Sequence, residues 1–127
     1  MIVLDASALL AFVQREPGGS KVQAALGTSV ISAVNFTEVS NKLHDKLGVA
    51  NGSAAIAQLA PLVQQIVPYF AGDTHAASIM HASNRHLGLS LGDCICLALG
   101  QKLSADIWTC DRAWAKLDAS YRVTVIR

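Results

Sequence analysis

Short runs of apolar residues alternate along the chain with longer segments in which apolar residues recur every three or four positions. The short runs predict strands at residues 2–4, 29–31, 106–109 and 123–126, with a weaker strand near 66–69. The longer segments predict helices, at residues 7–14, 20–26, 33–47, 54–65, 74–87, 92–103 and 112–117. Because strands that alternate with helices form parallel βαβ units, the pattern predicts an α/β fold, a three-layer sandwich around a central, mostly parallel, twisted sheet.

Glycine and proline residues mark the ends of several predicted elements. Stop signals follow three predicted helices, at Gly27, Gly48 and Gly88. Pro61 is expected to kink or break the fourth helix, and the pairs Gly18-Gly19 and Asn51-Gly52 are typical of turns between elements. No repeat, low-complexity segment or linker interrupts the pattern, so we expect residues 1–127 to form a single domain.

The composition is apolar for a soluble chain. Hydrophobic residues make up 52% of the 127 residues and charged residues 15%, whereas about a quarter of an ordinary soluble domain is charged. A domain of this length buries roughly two thirds of its unfolded surface, and part of the apolar surface is expected to remain uncovered. We therefore expect a homodimer, a partner chain, or both.

Charge and cysteine content exclude several classes of protein. The net charge of +1 gives no overall attraction to nucleic acid, so any such site must be local. Three cysteines do not form a disulfide framework and indicate a reducing compartment, by default the cytoplasm. The apolar start lacks a basic leader and is interrupted by Asp5, and no run reaches the roughly 18 residues that span a bilayer, so we expect a soluble protein.

Acidic residues follow the predicted strands. Asp5, Asp93 and Asp111 lie at or near the starts of helices, and Glu38 lies in the second turn of the helix after the second strand. Because the carboxyl ends of parallel strands meet at one edge of a sheet, where such folds bind ligands, we expect these four side chains to lie close together.

Each acid also has a simple local explanation. Asp5 and Asp111 are suited to cap helix N-termini, and Asp93 completes a capping box with Ser90. Glu38 stands four residues before a lysine, the favourable order for a surface ion pair. Taken one at a time, these local roles are the more common outcome.

Taken together, the acids indicate a metal site. Asp5 adjoins an apolar strand and Asp93 begins a helix that is apolar nearly all round, and buried carboxylates repel each other unless a cation lies between them. Ligands that are all oxygen favour Mg²⁺ or Mn²⁺ over zinc, for which the cysteines and histidines show no suitable spacing. Such an ion activates water and shields a phosphodiester, as in metal-dependent nucleases.

Four segments in this order resemble the PIN domain family, and in particular the VapC toxins of toxin-antitoxin pairs: "VLDASAL", "NFTEV", "LSLGDCICLALG" and "TCDRAW". The resemblance extends over essentially the whole chain. It implies a Mg²⁺- or Mn²⁺-dependent endoribonuclease that cleaves structured RNA, often tRNA, and that a VapB antitoxin partner silences. We expect that partner to lie in an apolar groove near the helices at 7–26 and 33–65.

The resemblance also implies a role for each acid. Asp5 and Asp93 are the main metal ligands, Glu38 is a ligand through water or the base for the attacking water, and Asp111 is an outer or second-metal acid. One departure is Cys94, where relatives often carry a basic or small residue; it puts substrate contacts in doubt rather than the metal site.

Several further residues have both a functional and an ordinary interpretation. Ser7 and Thr109 are placed to bond the acids or a bound water, and Arg112 to hold a phosphate, although capping, strand packing and solvation would also explain them. Trp108 and Trp114 are candidates for stacking on bases, yet they first suggest core packing. Other candidates for following an RNA backbone are Arg15, Lys42, Lys46, Arg85 and Lys116.

Other classes of protein fit less well. A haloacid-dehalogenase-type phosphatase needs a second aspartate where this chain has Ser7, and a phospho-receiver domain needs paired early acids and a lysine near the last strand, which are missing. The alternative that stays open is a PIN-like module that binds RNA or protein without cleavage. Intact, mutually repelling acids argue against it.

Overall fold

Residues 1–127 are all described by the computed structural model. Five strands form one sheet, in which every neighbouring pair is parallel: β1 (Ile2–Leu4), β2 (Ser29–Ser32), β3 (Gln65–Val67), β4 (Asp106–Thr109) and β5 (Val123–Val125). The strand order is β3-β2-β1-β4-β5. The predicted α/β architecture is confirmed, and the sheet is wholly parallel rather than mostly so.

Five α-helices cover the sheet: α1 (Ala6–Val13), α2 (Gly19–Ala25), α3 (Ala33–Leu59), α4 (Thr74–Ser83) and α5 (Leu91–Lys102). Short 3₁₀ helices complete the connections, at Leu26–Thr28, Ala60–Leu62, Ala71–Asp73, Arg85–Leu87, Arg112–Lys116 and Ala119–Tyr121. Three of these helices have a side-chain N-cap: Asp5 caps α1, Ser32 caps α3 and Ser90 caps α5. Each cap satisfies a backbone N–H group that the helix leaves free.

The helix predicted over 33–47 and its stop at Gly48 are confirmed, but the turn predicted at Asn51-Gly52 and the helix start at 54 are wrong. Asn51-Gly52 lies inside α3 and is not a turn, and the break occurs at Gly48, whose φ of 81° and ψ of 173° only glycine adopts readily. A second helical segment thus begins before residue 54 and ends at Leu59, ahead of Pro61. The predicted helix 112–117 is a 3₁₀ helix.

Apolar side chains fill both faces of the sheet and produce the three layers. Alternation along β1 sends Leu4 to one face and Val3 to the other. The Leu4 face packs against α1, α2 and α3, whereas the Val3 face packs against α5 and α4. The expected three-layer sandwich is therefore present.

Large apolar side chains remain on the surface. The most exposed are Val49 at 77%, Leu91 at 73% and Phe70 at 64%. Their exposure agrees with the surplus of apolar residues in the composition. None of the helices is both long enough and apolar enough to cross a membrane.

Candidate active site

Asp5 lies where the strand order of the sheet reverses. Asp5 follows β1, which pairs with β2 on one side and with β4 on the other. From β1 the strand order runs outward to β2 and β3 in one direction and to β4 and β5 in the other. The backbone N–H of Asp5 donates to the Trp108 carbonyl of β4 at 3.1 Å. This reversal opens a crevice beyond the carboxyl ends of the strands, where parallel sheets bind ligands.

Three donors hold the Asp5 carboxylate, which is only 5% exposed. The Ser7 hydroxyl and the Ala8 N–H donate to Oδ1 at 2.7 and 2.8 Å, and the Thr109 hydroxyl donates to Oδ2 at 2.6 Å. Burial is the main cause that raises the pKa of Asp5 to about 6, against the lowering effect of these hydrogen bonds; the charge of Asp93 raises it further. The carboxylate is thus well oriented but poorly neutralised.

The hydroxyls around Asp5 are themselves fixed by the chain that follows β4. The N–H of Cys110 donates to Ser7 Oγ at 2.9 Å, and the N–H of Asp111 donates to Thr109 Oγ1 at 3.0 Å. The structure therefore places Ser7 and Thr109, both singled out from the sequence, in direct contact with Asp5.

Asp93 lies in the first turn of α5 and takes part in a capping box. The Ser90 N–H donates to Asp93 Oδ2 at 2.9 Å, and the Asp93 N–H donates to Ser90 Oγ at 3.1 Å. The predicted local role is present, but it does not remove Asp93 from the site, because its charge acts on Asp5.

Glu38 lies against the same turn of α5. The Asn35 amide donates to Glu38 Oε1 at 2.7 Å, and a Cβ atom built on Gly92 would be 2.8 Å from Glu38 Cδ. Glu38 forms no ion pair with Lys42, so the local explanation for this acid is wrong. Its carboxylate is directed towards α5 instead.

The thiol of Cys96 is affected by the charges of three of the acids. Cys96 is fully buried, and burial raises the pKa of its thiol well above the ordinary value; the charges of Asp5, Asp93 and Glu38 raise it further, in that order. The charges of three acids on chain segments far apart in sequence thus act on one buried thiol.

Asp111 occupies the outer side of this group. It is exposed, and its Oδ1 accepts from the Ala113 N–H at 2.9 Å, which caps the 3₁₀ helix. Only its backbone N–H is linked to Asp5, through the Thr109 hydroxyl. Arg112 is exposed beside it and makes no ion pair.

No basic side chain neutralises the four acids. The ion pairs of the protein join Lys102 to Asp73, Arg122 to Asp106 and Arg127 to Glu16. No three His, Cys, Asp or Glu side chains converge tightly enough to enclose an ion by themselves. Mg²⁺ does not require such a cage, because it keeps several waters and binds through one or two carboxylates. The oxygen donors present fit an ion of that kind.

Sequence reasoning missed Asn35, Gly92 and Cys96. Asn35 stands three residues before Glu38, a spacing that puts both on one helix face, and this was the only local signal. The approach of Gly92 and Cys96 to the acids depends on how α5 packs on the sheet. No pattern within a single segment contains that information.

The tryptophans do not present free faces. Trp114 is 1% exposed and belongs to the core, so it has no surface on which a base could stack. Trp108 is half-buried, and the Lys21 ammonium lies 4.8 Å from its ring centroid. The core-packing interpretation is the right one for Trp114.

A groove lies away from the acids, between α1, α2 and the second half of α3. It has a volume of about 700 Å³. Apolar side chains that line it include Phe12, Val13, Leu59 and Leu62, and Arg15 and Glu16 add charge at its rim. The groove lies in the region that the sequence indicated for a partner.

Solved structures from three organisms share this fold. The chain is similar to a toxin-antitoxin complex from Klebsiella pneumoniae (TM-score 0.75, 15% identity, 98% of this chain and 96% of that one). It is similar to FitAcB from Neisseria gonorrhoeae (0.71, 16%, 100% and 97%) and to VapC20 of Mycobacterium tuberculosis, described as a sarcin-ricin loop cleaving toxin (0.70, 16%, 95% and 92%). At such identities the likeness establishes the fold.

Comparison of the sequence with family models identifies its family. No curated protein sequence matches the chain. A family model described as "PIN domain" matches residues 2–120, which include β1, β4 and all four acids. Over nearly its whole length, therefore, the chain belongs to the PIN domain family.

Proposed function

We propose that the chain is a Mg²⁺- or Mn²⁺-dependent endoribonuclease. The observation that carries this proposal is the Asp5 carboxylate, which is 5% exposed, affected by the charge of Asp93 and paired with no base. Leaving buried charge uncompensated costs several kcal/mol. A divalent cation would offset that cost, and family membership supports a nuclease.

The acids would divide the work according to their surroundings. Asp5 has about four lone-pair positions, of which three accept hydrogen bonds, so one on Oδ2 is left for a cation. Asp93 would be the second ligand. Glu38 would act through water or accept the proton of the attacking water, and Asp111 would act from the outer side.

The chain's own residues would orient the reacting groups. A bound divalent ion lowers the pKa of water and shields a phosphate. The Ser7 and Thr109 hydroxyls hold Asp5 in one orientation, which avoids reorganisation during the reaction. Arg112 is exposed beside Asp111 and is suited to a substrate phosphate.

We further propose that the substrate is structured RNA, with tRNA as the first candidate. Support comes from the VapC20 neighbour, described as a toxin that cleaves the sarcin-ricin loop. The net charge of +1 means that RNA must be bound by local cations rather than by the whole surface.

The same comparisons support a role as the toxin of a toxin-antitoxin pair, and the three free cysteines support a location in the cytoplasm. The neighbour from Klebsiella pneumoniae is a toxin-antitoxin complex. We propose that a VapB-like antitoxin segment binds in the groove between α1, α2 and α3. The exposed apolar side chains support a homodimer as well, which light scattering of the purified chain would test.

The decisive experiment incubates the purified chain with total RNA and with Mg²⁺ or Mn²⁺. We expect Asp5→Asn and Asp93→Asn to lower the cleavage rate by about 100-fold or more, a loss typical of groups that act on the reacting atoms. Asp45→Asn, an exposed acid of α3 far along the helix from the site, is the matched control and should cleave like the wild type.

Two outcomes would contradict the proposal. Cleavage that survives both substitutions would show that these acids do not carry it. RNA binding without cleavage, with every divalent ion and with folded, partner-free protein, would favour a non-catalytic PIN-like binding module instead.

A further inference from the structure

Asn35 is a buried polar residue whose chemistry the proposed function does not use. Its side chain is 2% exposed, in the first turn of α3. Nδ2 donates to Glu38 Oε1 at 2.7 Å and to the Gly92 carbonyl at 3.0 Å. Both partners can only accept, so the amide nitrogen and not the oxygen must face them.

The other half of the Asn35 amide has no partner. Oδ1 is fully buried and accepts no hydrogen bond. A buried acceptor without a partner costs about 1–3 kcal/mol, so an apolar side chain would serve the packing between α3 and α5 better. Stability alone therefore does not explain an asparagine at this position. Its two N–H donors must serve the groups that they contact, Glu38 and the Gly92 carbonyl.

Gly92 completes the surroundings of the Glu38 carboxylate. A Cβ atom at this position would overlap Glu38 Oε1 and lie 2.8 Å from Cδ. Gly92 does not have a positive φ, so the backbone does not require glycine here. What requires it is the space that the carboxylate occupies.

We propose that Asn35 and Gly92 together form a seat that aims the Glu38 carboxylate at the space shared with Asp5 and Asp93. Asn35 is then a positioning residue that acts through Glu38, and the inference rests on the proposed metal-dependent function. One oxygen of Glu38, Oε1, is held by the seat. The other, Oε2, is left for a cation-bound water or for the proton of the attacking water.

The test is a double-mutant cycle with Mn²⁺ affinity and cleavage rate as separate readouts. Asn35→Leu removes the donors and keeps an apolar filling. We expect it to weaken Mn²⁺ binding and to slow cleavage by about 10- to 100-fold, as for other groups that orient a metal ligand. In a Glu38→Ala background the same substitution should change Mn²⁺ affinity by less than about twofold, because no carboxylate is left to position.

Gly92→Ala gives a second, independent route to the same answer. It should displace Glu38 and weaken Mn²⁺ binding in the wild type but have little effect in Glu38→Ala, where the overlapping atoms are gone. Gly27→Ala is the matched control, because a Cβ atom there meets nothing within 4 Å. If Asn35→Leu does not fold, the comparison of Gly92→Ala with Gly27→Ala tests the proposal.

A merely structural role predicts a different set of results. Asn35→Leu would then lower the melting temperature and reduce both readouts equally in the two backgrounds, which would overturn the seat. Unchanged Mn²⁺ affinity in Asn35→Leu and Gly92→Ala, with a wild type that binds Mn²⁺ and cleaves RNA, would overturn the seat alone. No Mn²⁺ binding by the wild type would overturn the proposed function, and the seat with it.

Discussion

Asp5 makes the stability of the ion-free protein depend on pH. Its pKa is raised from 3.8 to about 6 by burial, so between these values the folded state binds the proton that the unfolded state has lost. Folding stability is therefore highest below pH 3.8 as far as this group is concerned, and falls as pH rises through 6. The loss amounts to about 3 kcal/mol at most.

Asp5→Asn removes this penalty because an amide carries no charge. We expect the variant to be more stable than the wild type at pH 7.5 in the presence of a chelator, and the two to converge near pH 3.5, below the ordinary pKa of an aspartate. Urea denaturation at both pH values measures the difference. Adding Mn²⁺ should stabilise the wild type and not the variant; equal stability curves at both pH values would show that the buried charge is compensated in another way.

At the level of residues, the sequence indicated the acids but not what holds them. Asp5, Asp93 and Asp111 stand at junctions of elements, and that position is visible in the pattern of the chain. Asn35 and Gly92 meet across 57 positions through the packing of α3 on α5. Their roles arise from that contact, so no local pattern announces them.

At the level of elements, Gly48 sets the turn between the two halves of α3. Its φ of 81° and ψ of 173° cost a residue with a Cβ atom about 1–3 kcal/mol. We expect Gly48→Ala to lower the free energy of unfolding by that amount, whereas Gly27→Ala, at a site with open space, should change it little. Thermal and urea denaturation of both variants provide the measurement, and an unaffected Gly48→Ala would mean that the turn adapts without strain.

The strands were predicted more accurately than the helices. Runs such as "IVL" and "DIWT" are short and apolar between polar junctions, and β1 and β4 begin and end where the pattern indicates. Asn51-Gly52 misled the helix prediction because this pair usually forms turns. Here a Cβ atom on Gly52 would be 2.7 Å from the His44 ring, so the glycine permits close packing between the two halves of α3.

At the level of the whole molecule, the groove between α1, α2 and α3 contains none of the four acids, so the proposed partner and the proposed substrate would bind to different surfaces. Leu62 lines the groove and is 46% exposed, so a charge there should not disturb the core. We expect Leu62→Glu to weaken binding of the proposed VapB-like antitoxin by about 10-fold or more while RNA cleavage is retained. Copurification after coexpression measures the complex.

Val49→Glu is the matched control for this experiment. Val49 is an apolar residue like Leu62 and is 77% exposed, but it lies in α3 and does not line the groove. It should copurify with the partner like the wild type. A Leu62→Glu complex as tight as that of Val49→Glu would place the partner on another surface.

The alternation of strands and helices in the sequence predicted the overall architecture. A groove was expected near the helices at 7–26 and 33–65, and the structure has one there. Which surfaces meet a second chain does not follow in this way. Exposed apolar side chains such as Phe70 and Leu91 show only that surface is available.

The hydrogen bond between Thr109 and Asp5 joins residues 104 positions apart. During translation Asp5 is made before Thr109, and it lacks this partner, as well as the whole of β4, until that later segment has left the ribosome. If the chain cleaves RNA as proposed, its site is completed only after most of the chain has been made. Until then the ribosome and its tRNAs would meet a fragment in which the Asp5 carboxylate still lacks the Thr109 hydroxyl.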